Sequence, residues 1–331
     1  MESLEMGGAM DKHGVEKHIL VVGSANMDMV VSCDRFPQPG ETILASDFGM
    51  YPGGKGANQA VASARLGGQV DFLAKLGNDV FRERLLESLT ADAVLVDRVL
   101  VDPSAPTGVA LISVNCDGEN EIMVVSGSNM KLTPDDVDRS ADVFDGAAVV
   151  LLQLEIPLPT VQRAAELGKE RGAIVILNPA PAQPLPAELL RYVDFLTPNE
   201  TEAGILSGLP VTDIESAAVA GQALRERGVK TVVVTLGARG ALVVGDTGAR
   251  HFPTNDASVV DTTGAGDAFN GALAYALAEG YSLGDAVGLA NAVAAFSVTR
   301  IGAQAAMPTL DDISEAAFRE AGKRMINGAI K

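Results

Sequence analysis

Short runs of apolar residues alternate with segments of helical periodicity along most of the chain. Continuous Val, Ile and Leu runs, each predicting a buried strand, occur at HILVVG, AAVVLLQLE, AIVILNPAP, VDFLTPN and TVVVTLG. Amphipathic stretches typical of helices include LPTVQRAAELGKERG and IESAAVAGQALRERG. Parallel strands have this continuous apolar composition when crossover helices cover both faces of their sheet. The pattern therefore predicts an α/β fold, a three-layer sandwich with a central, mostly parallel sheet.

Two segments, at about residues 26–50 and 103–129, do not follow this alternation. The first contains NMDMVVSC and ETILASDFG, which predict two strands joined by the turn FPQPG. The second, TGVALISVNCDGENEIMVVSG, predicts a hairpin with Asp117-Gly118 at its turn. We interpret both segments as insertions that form a small separate β-sheet. Ligands of open α/β sheets bind at the carboxyl ends of the strands, so a small sheet at that edge would act as a lid.

Composition and charge narrow the class of protein. Of the 331 residues, 47% are apolar, and the formal net charge is −18. Nucleic-acid binding requires cationic contacts to phosphates, and the acidic charge of this chain argues against such binding. No apolar run approaches the roughly 20 residues of a membrane span. Residues 1–17 are polar and lack a hydrophobic signal core, so we expect a flexible tail followed by one domain over residues 18–331. With only two cysteines, Cys33 and Cys116, we expect a reducing, cytoplasmic location.

A glycine-rich stretch, DTTGAGDAFNGALAYALAEG, occupies residues 261–280 and leads into a helical pattern. Gly264 and Gly266 allow the backbone to turn sharply and to approach a ligand. The first N–H groups of a helix are unpaired and carry partial positive charge, so residues 264–266 predict an anion hole. Asp267, in the first turn, could take a proton from a hydroxyl that attacks the bound anion. The alternative is that Asp267 only caps the helix.

A second glycine turn, YPGGKGANQA at residues 51–60, also leads into a helix. It nearly matches a phosphate-binding P-loop, but Gly56 stands where that motif needs a Ser or Thr hydroxyl for Mg²⁺. Lys55 and Asn58 can instead donate hydrogen bonds to sugar hydroxyls. We therefore interpret this turn as a sugar-binding element.

Polar residues also follow several of the predicted strands, at the edge where α/β sheets bind ligands. Any one of them could be only a loop cap. Together with two glycine turns, they favour a site for a polyol and a phosphate. These residues are Asn26, Asp28, Glu155, Asn199 and Glu202.

The stretches GGKGANQAVASARLGG and DTTGAGDAFNGALAYAL resemble the two signature motifs of the ribokinase-like carbohydrate kinases, and the resemblance extends over about residues 18–310. It implies an enzyme that uses ATP to phosphorylate D-ribose at the 5-hydroxyl, with Mg²⁺ as cofactor and K⁺ as activator. It also implies a homodimer formed through the lid sheet. The alternatives are a kinase for another sugar or nucleoside (fructose, deoxyribose or pseudouridine) and a non-catalytic sugar or nucleotide sensor. Retention of Asp267 argues against the sensor.

The resemblance further implies roles for individual residues. Asp267 matches the catalytic base, and Gly264, Ala265 and Gly266 match the anion hole. Positions that match sugar contacts are Asn26, Asp28, Gly54, Lys55, Asn58 and Glu155. Positions that match the nucleotide site are Asn199, Thr235, Gly237, Gly240, Gly266 and Asn291. Asn199 and Glu202 match an indirect Mg²⁺ site, and the monovalent-cation site matches Asp261, Thr263, Ser297, Arg300 and Gly302. Ala306 stands where many ribokinases have a serine ligand, so one K⁺ contact is missing.

Overall fold

The computed structural model describes residues 17–254 and 257–313. The flexible tail that we predict for residues 1–17 therefore lies outside the described residues, except for Lys17. The strands are β1 (His18–Val22), β2 (Asn26–Ser32), β3 (Asp47–Gly53), β4 (Val70–Gly77), β5 (Val94–Leu95), β6 (Val99–Asp102), β7 (Gly108–Val114), β8 (Asn120–Val125), β9 (Ala147–Leu152), β10 (Ile174–Leu177), β11 (Phe195–Leu196), β12 (Thr231–Thr235), β13 (Ala241–Gly245) and β14 (Gly248–Phe252). The α-helices are α1 (Lys55–Arg65), α2 (Val80–Ala91), α3 (Pro134–Arg139), α4 (Leu158–Glu170), α5 (Ala187–Leu190), α6 (Glu200–Ser207), α7 (Ile214–Glu226), α8 (Ala265–Ala278) and α9 (Leu283–Ser297).

Ten of the described strands form one large sheet in the order β14-β13-β12-β11-β10-β9-β1-β4-β5, with β6 also paired to β4. The strands from β12 to β4 in this order run parallel, and β13 and β14 join antiparallel at one edge. The predicted central, mostly parallel sheet is therefore confirmed.

Helices cover both faces of the large sheet. Along β1, Ile19 and Val21 belong to the core under α1, α2, α8 and α9, whereas Leu20 and Val22 belong to the core under α3 to α7. Successive side chains of a strand point to opposite faces, so a strand between two helical layers must be apolar at every position. This explains the continuous apolar runs and confirms the three-layer sandwich.

The predicted insertions form a separate four-stranded sheet in the order β3-β2-β7-β8. The first insertion differs in detail from the prediction, because ETILASDFG forms a strand only from Asp47, and β3 continues to Gly53. Leu44, at the centre of the apolar pattern in that stretch, is 95% exposed, so it has no core on which a strand could pack. The strand predicted from VDFLTPN is likewise short, since β11 contains two residues.

Helices α1 and α8 approach each other closely on one face of the sheet. A Cβ atom at Gly271 would lie 2.5 Å from Cβ of Ala62, so only glycine permits this contact. The Ser63 hydroxyl contacts the carbonyl oxygens of Gln59 and Gly271, each at 2.9 Å. The close approach brings the first turns of the two helices together, and these turns carry the two glycine motifs.

Candidate active site

The Asp267 carboxylate is buried in the first turn of α8, where amide groups of α1 contact it. The Asn58 side chain donates to Oδ2 at 2.9 Å, and the Gln59 side chain donates to Oδ1 at 2.9 Å. Each carboxylate oxygen has two lone-pair directions, so each keeps acceptor capacity for a further hydrogen. The carboxylate is thus held in one orientation and can still accept a proton.

The start of α8 has the geometry of an anion site. Gly264 precedes the helix with a φ of 76°, in the left-handed region, and within the described residues no side chain caps the helix. A Cβ at Gly264 would lie 3.0 Å from the backbone of Ala303, whereas nothing lies within 4 Å of a Cβ built at Gly266. The Ala265 N–H donates to the Thr262 carbonyl at 3.2 Å. The N–H groups of Gly264, Gly266 and Asp267 have no hydrogen bond within the described residues and remain available to a bound anion.

A second group of polar residues surrounds the entrance to α1. Glu155 Oε2 accepts from the Ser24 hydroxyl at 2.5 Å and from the Lys55 backbone N–H at 3.0 Å. Gly54, immediately before the helix, has a φ of 88°, and a Cβ there would meet the backbone N of Asn26 at 2.7 Å. The glycine therefore allows the helix start to lie directly against the first residue of β2.

The four-stranded sheet β3-β2-β7-β8, which we predict to act as a lid and call the lid sheet, contributes Asn26 and Asp28 to the same region. Oδ1 of Asn26 accepts from the Asn129 amide at 2.7 Å. The Asp28 carboxylate lies so close to Gly53 that a Cβ there would be 2.1 Å from Oδ2. Burial, followed by the charges of Glu155 and Asp267, raises the pKa of Asp28 to about 7. The three carboxylates are therefore near enough to interact.

Lys55 is the cation of this cluster. Burial alone would lower its pKa, but the negative charges of Asp267, Glu155 and Glu202 outweigh burial and raise it. Its ammonium group therefore stays charged, and it partly balances the carboxylates that would otherwise repel an anionic substrate.

Two adjoining pockets meet at the start of α8. A polar cavity of about 220 Å³ includes Lys55, Asp267 and Glu202 in its walls, and a larger, mostly apolar cavity of about 520 Å³ lies beside it. The residues common to both cavities are Asn199, Thr235, Thr262, Ala265 and Gly266. The larger cavity also contains the other residues predicted for the nucleotide, which are Gly237, Gly240 and Asn291. All six predicted nucleotide positions therefore line one cavity.

Asn199 and Glu202 stand at the start of α6. The Asn199 side chain accepts from the Glu202 N–H at 2.8 Å, and the Glu202 carboxylate accepts from the Asn199 N–H at 2.9 Å. Burial is the largest influence on the Glu202 carboxyl and raises its pKa. This reciprocal cap uses one oxygen of Glu202 and leaves the other at the polar cavity.

The residues predicted for a monovalent cation lie in two connected loops. Asp261 accepts from the N–H and hydroxyl of Thr263 through Oδ1, and from the Gly302 N–H through Oδ2 at 2.8 Å. Partial burial opposes ionisation of Asp261, but these hydrogen bonds outweigh it and lower the pKa. Ser297 and Arg300 are joined by a backbone hydrogen bond at the end of α9. In residues 17–254 and 257–313, no group of three or more His, Cys, Asp or Glu residues is placed to hold a metal ion.

Sequence reasoning did not identify several buried amides that support the site. They include Gln59, which contacts Asp267, and Asn129, which contacts Asn26. Gln59 directly follows the predicted Asn58, but the helical pattern gave no sign that both would face the same carboxylate. Gln153 and Asn178, both hydrogen-bonded to Gln59, and Gln304, hydrogen-bonded to Asn58, belong to the same group.

A buried base beside an anion site, between a polar and an apolar cavity, suits transfer of a phosphoryl group from a nucleotide to an alcohol. Comparison with known proteins assigns the chain to that class of enzyme. The model of the pfkB family of carbohydrate kinases matches residues 16–310. The chain belongs to this family, and it is a kinase that transfers phosphate to a sugar hydroxyl.

Individual relatives are consistent with this assignment. The chain is 40% identical to the ribokinase of Haemophilus influenzae over 301 residues, which cover 91% of this chain and 98% of the relative. It is 38% identical to the deoxyribokinase of Salmonella typhi over 298 residues, 90% of this chain and 97% of the relative. The solved structure of Arabidopsis thaliana ribokinase complexed with ribose and ATP superposes with a TM-score of 0.87 at 37% identity, covering 91% of this chain and 98% of that one. No helix in the described ranges has the length and apolar character needed to cross a membrane.

Proposed function

We propose that the protein phosphorylates D-ribose at the 5-hydroxyl, using ATP and releasing ADP. The observation that carries this proposal is the position of Asp267, a buried carboxylate beside the uncapped start of α8, where the polar and apolar cavities meet. A base at this junction can reach a hydroxyl in one cavity while the helix N-terminus holds a phosphate from the other.

Asp267 and the start of α8 divide the chemistry between them. The Asp267 carboxylate takes the proton of the sugar hydroxyl, and the sugar oxygen then forms a bond to the γ-phosphorus of ATP. The bond between that phosphorus and the β,γ-bridging oxygen breaks, and its electron pair leaves with ADP. The N–H groups of Gly264 and Gly266 and the Lys55 ammonium stabilise the charge on the transferring group.

The residues between the lid sheet and α1 bind the sugar in this proposal. Carboxylates accept from adjacent hydroxyls and amides can donate or accept, so a polyol matches the donor set of Asn26, Asp28, Asn58 and Glu155. We infer that the lid sheet closes over the sugar, because β2 carries Asn26 and Asp28. Closure would exclude water from the transferring phosphate.

Mg²⁺ and K⁺ have candidate sites in the chain. The free oxygen of Glu202 and the Asn199 side chain would hold Mg²⁺ indirectly, through water, and oxygen donors of this kind are the ligands that Mg²⁺ prefers. When bound, Mg²⁺ would neutralise negative charge on the ATP phosphates. K⁺ would contact oxygens of the Asp261 and Gly302 loops, where the ionised carboxylate already fixes the loop shape.

An ADP-release assay tests the proposal with a panel of D-ribose, 2-deoxyribose, fructose and pseudouridine. We expect ribose to give the highest kcat/KM. The deoxyribokinase relative makes 2-deoxyribose the second candidate, and faster turnover of that sugar would replace ribose in the proposal. Binding of sugar and ATP without turnover of any substrate would favour a sensor.

The Asp267→Asn variant tests the base. The amide retains the shape of the side chain but cannot accept the hydroxyl proton, so we expect a loss of about 10²–10⁴-fold in kcat. Calorimetry should show that ribose and ATP still bind. A variant that keeps more than about a tenth of the wild-type rate would exclude Asp267 as the base.

A further inference from the structure

Asp267 is the end point of two chains of buried side-chain amides. In the first, Gln153 donates to Gln59 at 2.7 Å, and Gln59 donates to Asp267 Oδ1 at 2.9 Å. In the second, Gln304 donates to Asn58 at 3.1 Å, and Asn58 donates to Asp267 Oδ2 at 2.9 Å. Each carboxylate oxygen is therefore oriented by one amide, and each of those amides is oriented by another.

Gln59 uses its carboxamide fully. Its two N–H donors go to Asp267 Oδ1 and to Asn178 Oδ1, the latter at 3.0 Å, and its oxygen accepts from Gln153. Asn178 in turn donates to the Thr197 carbonyl at 3.2 Å. A reversed Gln59 amide would place its oxygen against a carboxylate oxygen, so the negative charge and the Gln153 donor select the same orientation.

Gln59 cannot act by touching the substrate. Its side chain is completely buried, and it is absent from the walls of both cavities. Asn58 is different, because the proposed sugar site includes it. Any effect of Gln59 on the reaction must therefore pass through the groups that it orients.

We propose that Gln59, held by Gln153, is a positioning residue that fixes the Asp267 carboxylate in the orientation required to accept the sugar proton. The inference rests on the proposed role of Asp267 as base. Misplacement of a reacting group by about 1 Å can cost about 100-fold in rate. Loss of the Gln59 donor should therefore lower kcat while leaving substrate binding nearly unchanged.

Ser63 supplies a matched control in the same helix interface. Its hydroxyl is buried one turn after Gln59 and contacts Gly271 of α8, but it does not contact Asp267. Ser63→Ala weakens the packing of α1 against α8 without removing a donor to the carboxylate. The Ser63→Ala variant therefore distinguishes the effect of weaker packing between α1 and α8 from the effect of a wrongly oriented Asp267 carboxylate.

The experiment measures kcat and both KM values with D-ribose and MgATP for the wild type, Gln59→Met, Gln153→Met, Ser63→Ala and Asp267→Asn. We expect Gln59→Met to lose about 10- to 100-fold in kcat, with both KM values within about two-fold of wild type. Gln153→Met should lose less, because the carboxylate charge still orients Gln59. Ser63→Ala should unfold at a lower temperature and keep the wild-type kcat.

Three results would overturn the positioning role: a wild-type kcat in Gln59→Met, a rise in KM that accounts for its loss, or an equal loss of kcat in Ser63→Ala. If Gln59→Met does not fold, a wild-type kcat in Gln153→Met would overturn it instead. Failure of the proposed function is distinguishable, because the wild type would then not turn over ribose, or Asp267→Asn would remain active.

Discussion

Asp28 is the residue whose ionisation the site opposes most clearly. Burial and the neighbouring charges of Glu155 and Asp267 raise its pKa from 3.8 to about 7. Because the folded value lies above the unfolded one, the protonated form stabilises the fold, and this contribution is lost as the pH rises from about 4 through 7. Sugar binding should have the opposite trend, since an ionised carboxylate accepts more hydrogen bonds from hydroxyls.

We therefore expect the Kd of ribose, measured by calorimetry without nucleotide, to decrease as the pH rises through about 7. Asp28→Asn should weaken ribose binding by about ten-fold or more at pH 8, because hydrogen bonds to charged groups contribute roughly 1.5–3 kcal/mol. It should also remove most of the pH dependence, with little change in ATP binding. An equal pH dependence in wild type and variant would assign the titration to another group.

At the scale of elements, the start of α8 depends on two glycines for different reasons. Gly264 has a positive φ and lies against Ala303, whereas Gly266 faces open space between the cavities. Gly264→Ala should therefore cost about 1–3 kcal/mol in the free energy of unfolding. Gly266→Ala should preserve stability but lower kcat/KM for ATP, since its methyl group would enter the anion site.

Urea denaturation and steady-state kinetics on both variants check this contrast. Each variant is the control for the other, because each adds one methyl group within the same turn. Equal stabilities would contradict the strain that we assign to Gly264. A wild-type kcat/KM for ATP in Gly266→Ala would show that phosphate does not bind over the helix start.

The loop that precedes α8 carries the candidate K⁺ site. Asp261 is hydrogen-bonded to Gly302, and Ala306 follows Gly302 by four residues, at the end of the short turn formed by residues 304–306. K⁺ should raise the rate or the ATP affinity, because an ion there would fix the shape of the anion hole. Large cations accept variable sets of oxygen ligands, so loss of one hydroxyl at Ala306 should weaken the site without abolishing it.

Titration of KCl against a large organic cation at constant ionic strength measures this effect in wild type and Ala306→Ser. We expect activation in both proteins and a lower half-saturating K⁺ concentration in the variant. A wild-type rate that is indifferent to K⁺ would exclude the cation site. Equal K⁺ affinities would exclude the role of position 306.

The success of sequence reasoning also differs between elements. Apolar runs predicted the strands of the large sheet because each is buried by helices on both faces, as in β1 and β9. The glycine motifs predicted the starts of α1 and α8, since Gly54 and Gly264 adopt the positive φ values that glycine favours. The contact of Gln59 with Asp267 was not predictable, because it depends on the close approach of two helices that are distant in sequence.

At the scale of the whole molecule, the lid sheet leaves apolar surface uncovered. Every residue of β8 is exposed, and β8 is an edge strand that pairs only with β7 among the described residues. Cross-strand pairing aligns Val30, Ile112 and Ile122 in one row on the face that carries Asp28. An open edge with exposed apolar residues favours association unless another chain covers it.

We predict that a second copy of the chain covers this surface, so that the protein is a homodimer paired through its lid sheets. Ile122 and Val124 are 53% exposed on β8, and Val219 is 59% exposed on α7, on the opposite side of the large sheet from α8. The double variant Ile122→Asp, Val124→Asp should therefore shift the protein toward monomer, because an interface would bury two charges without partners. Val219→Asp, which adds a charge at an equally exposed site, should leave the dimer intact.

Light scattering at micromolar concentration measures all three proteins, and a monomeric wild type would exclude the dimer. If the lid closes as part of a dimer, the double variant should also raise the KM for ribose, since β2 lies within the same sheet and carries the residues proposed to bind the sugar.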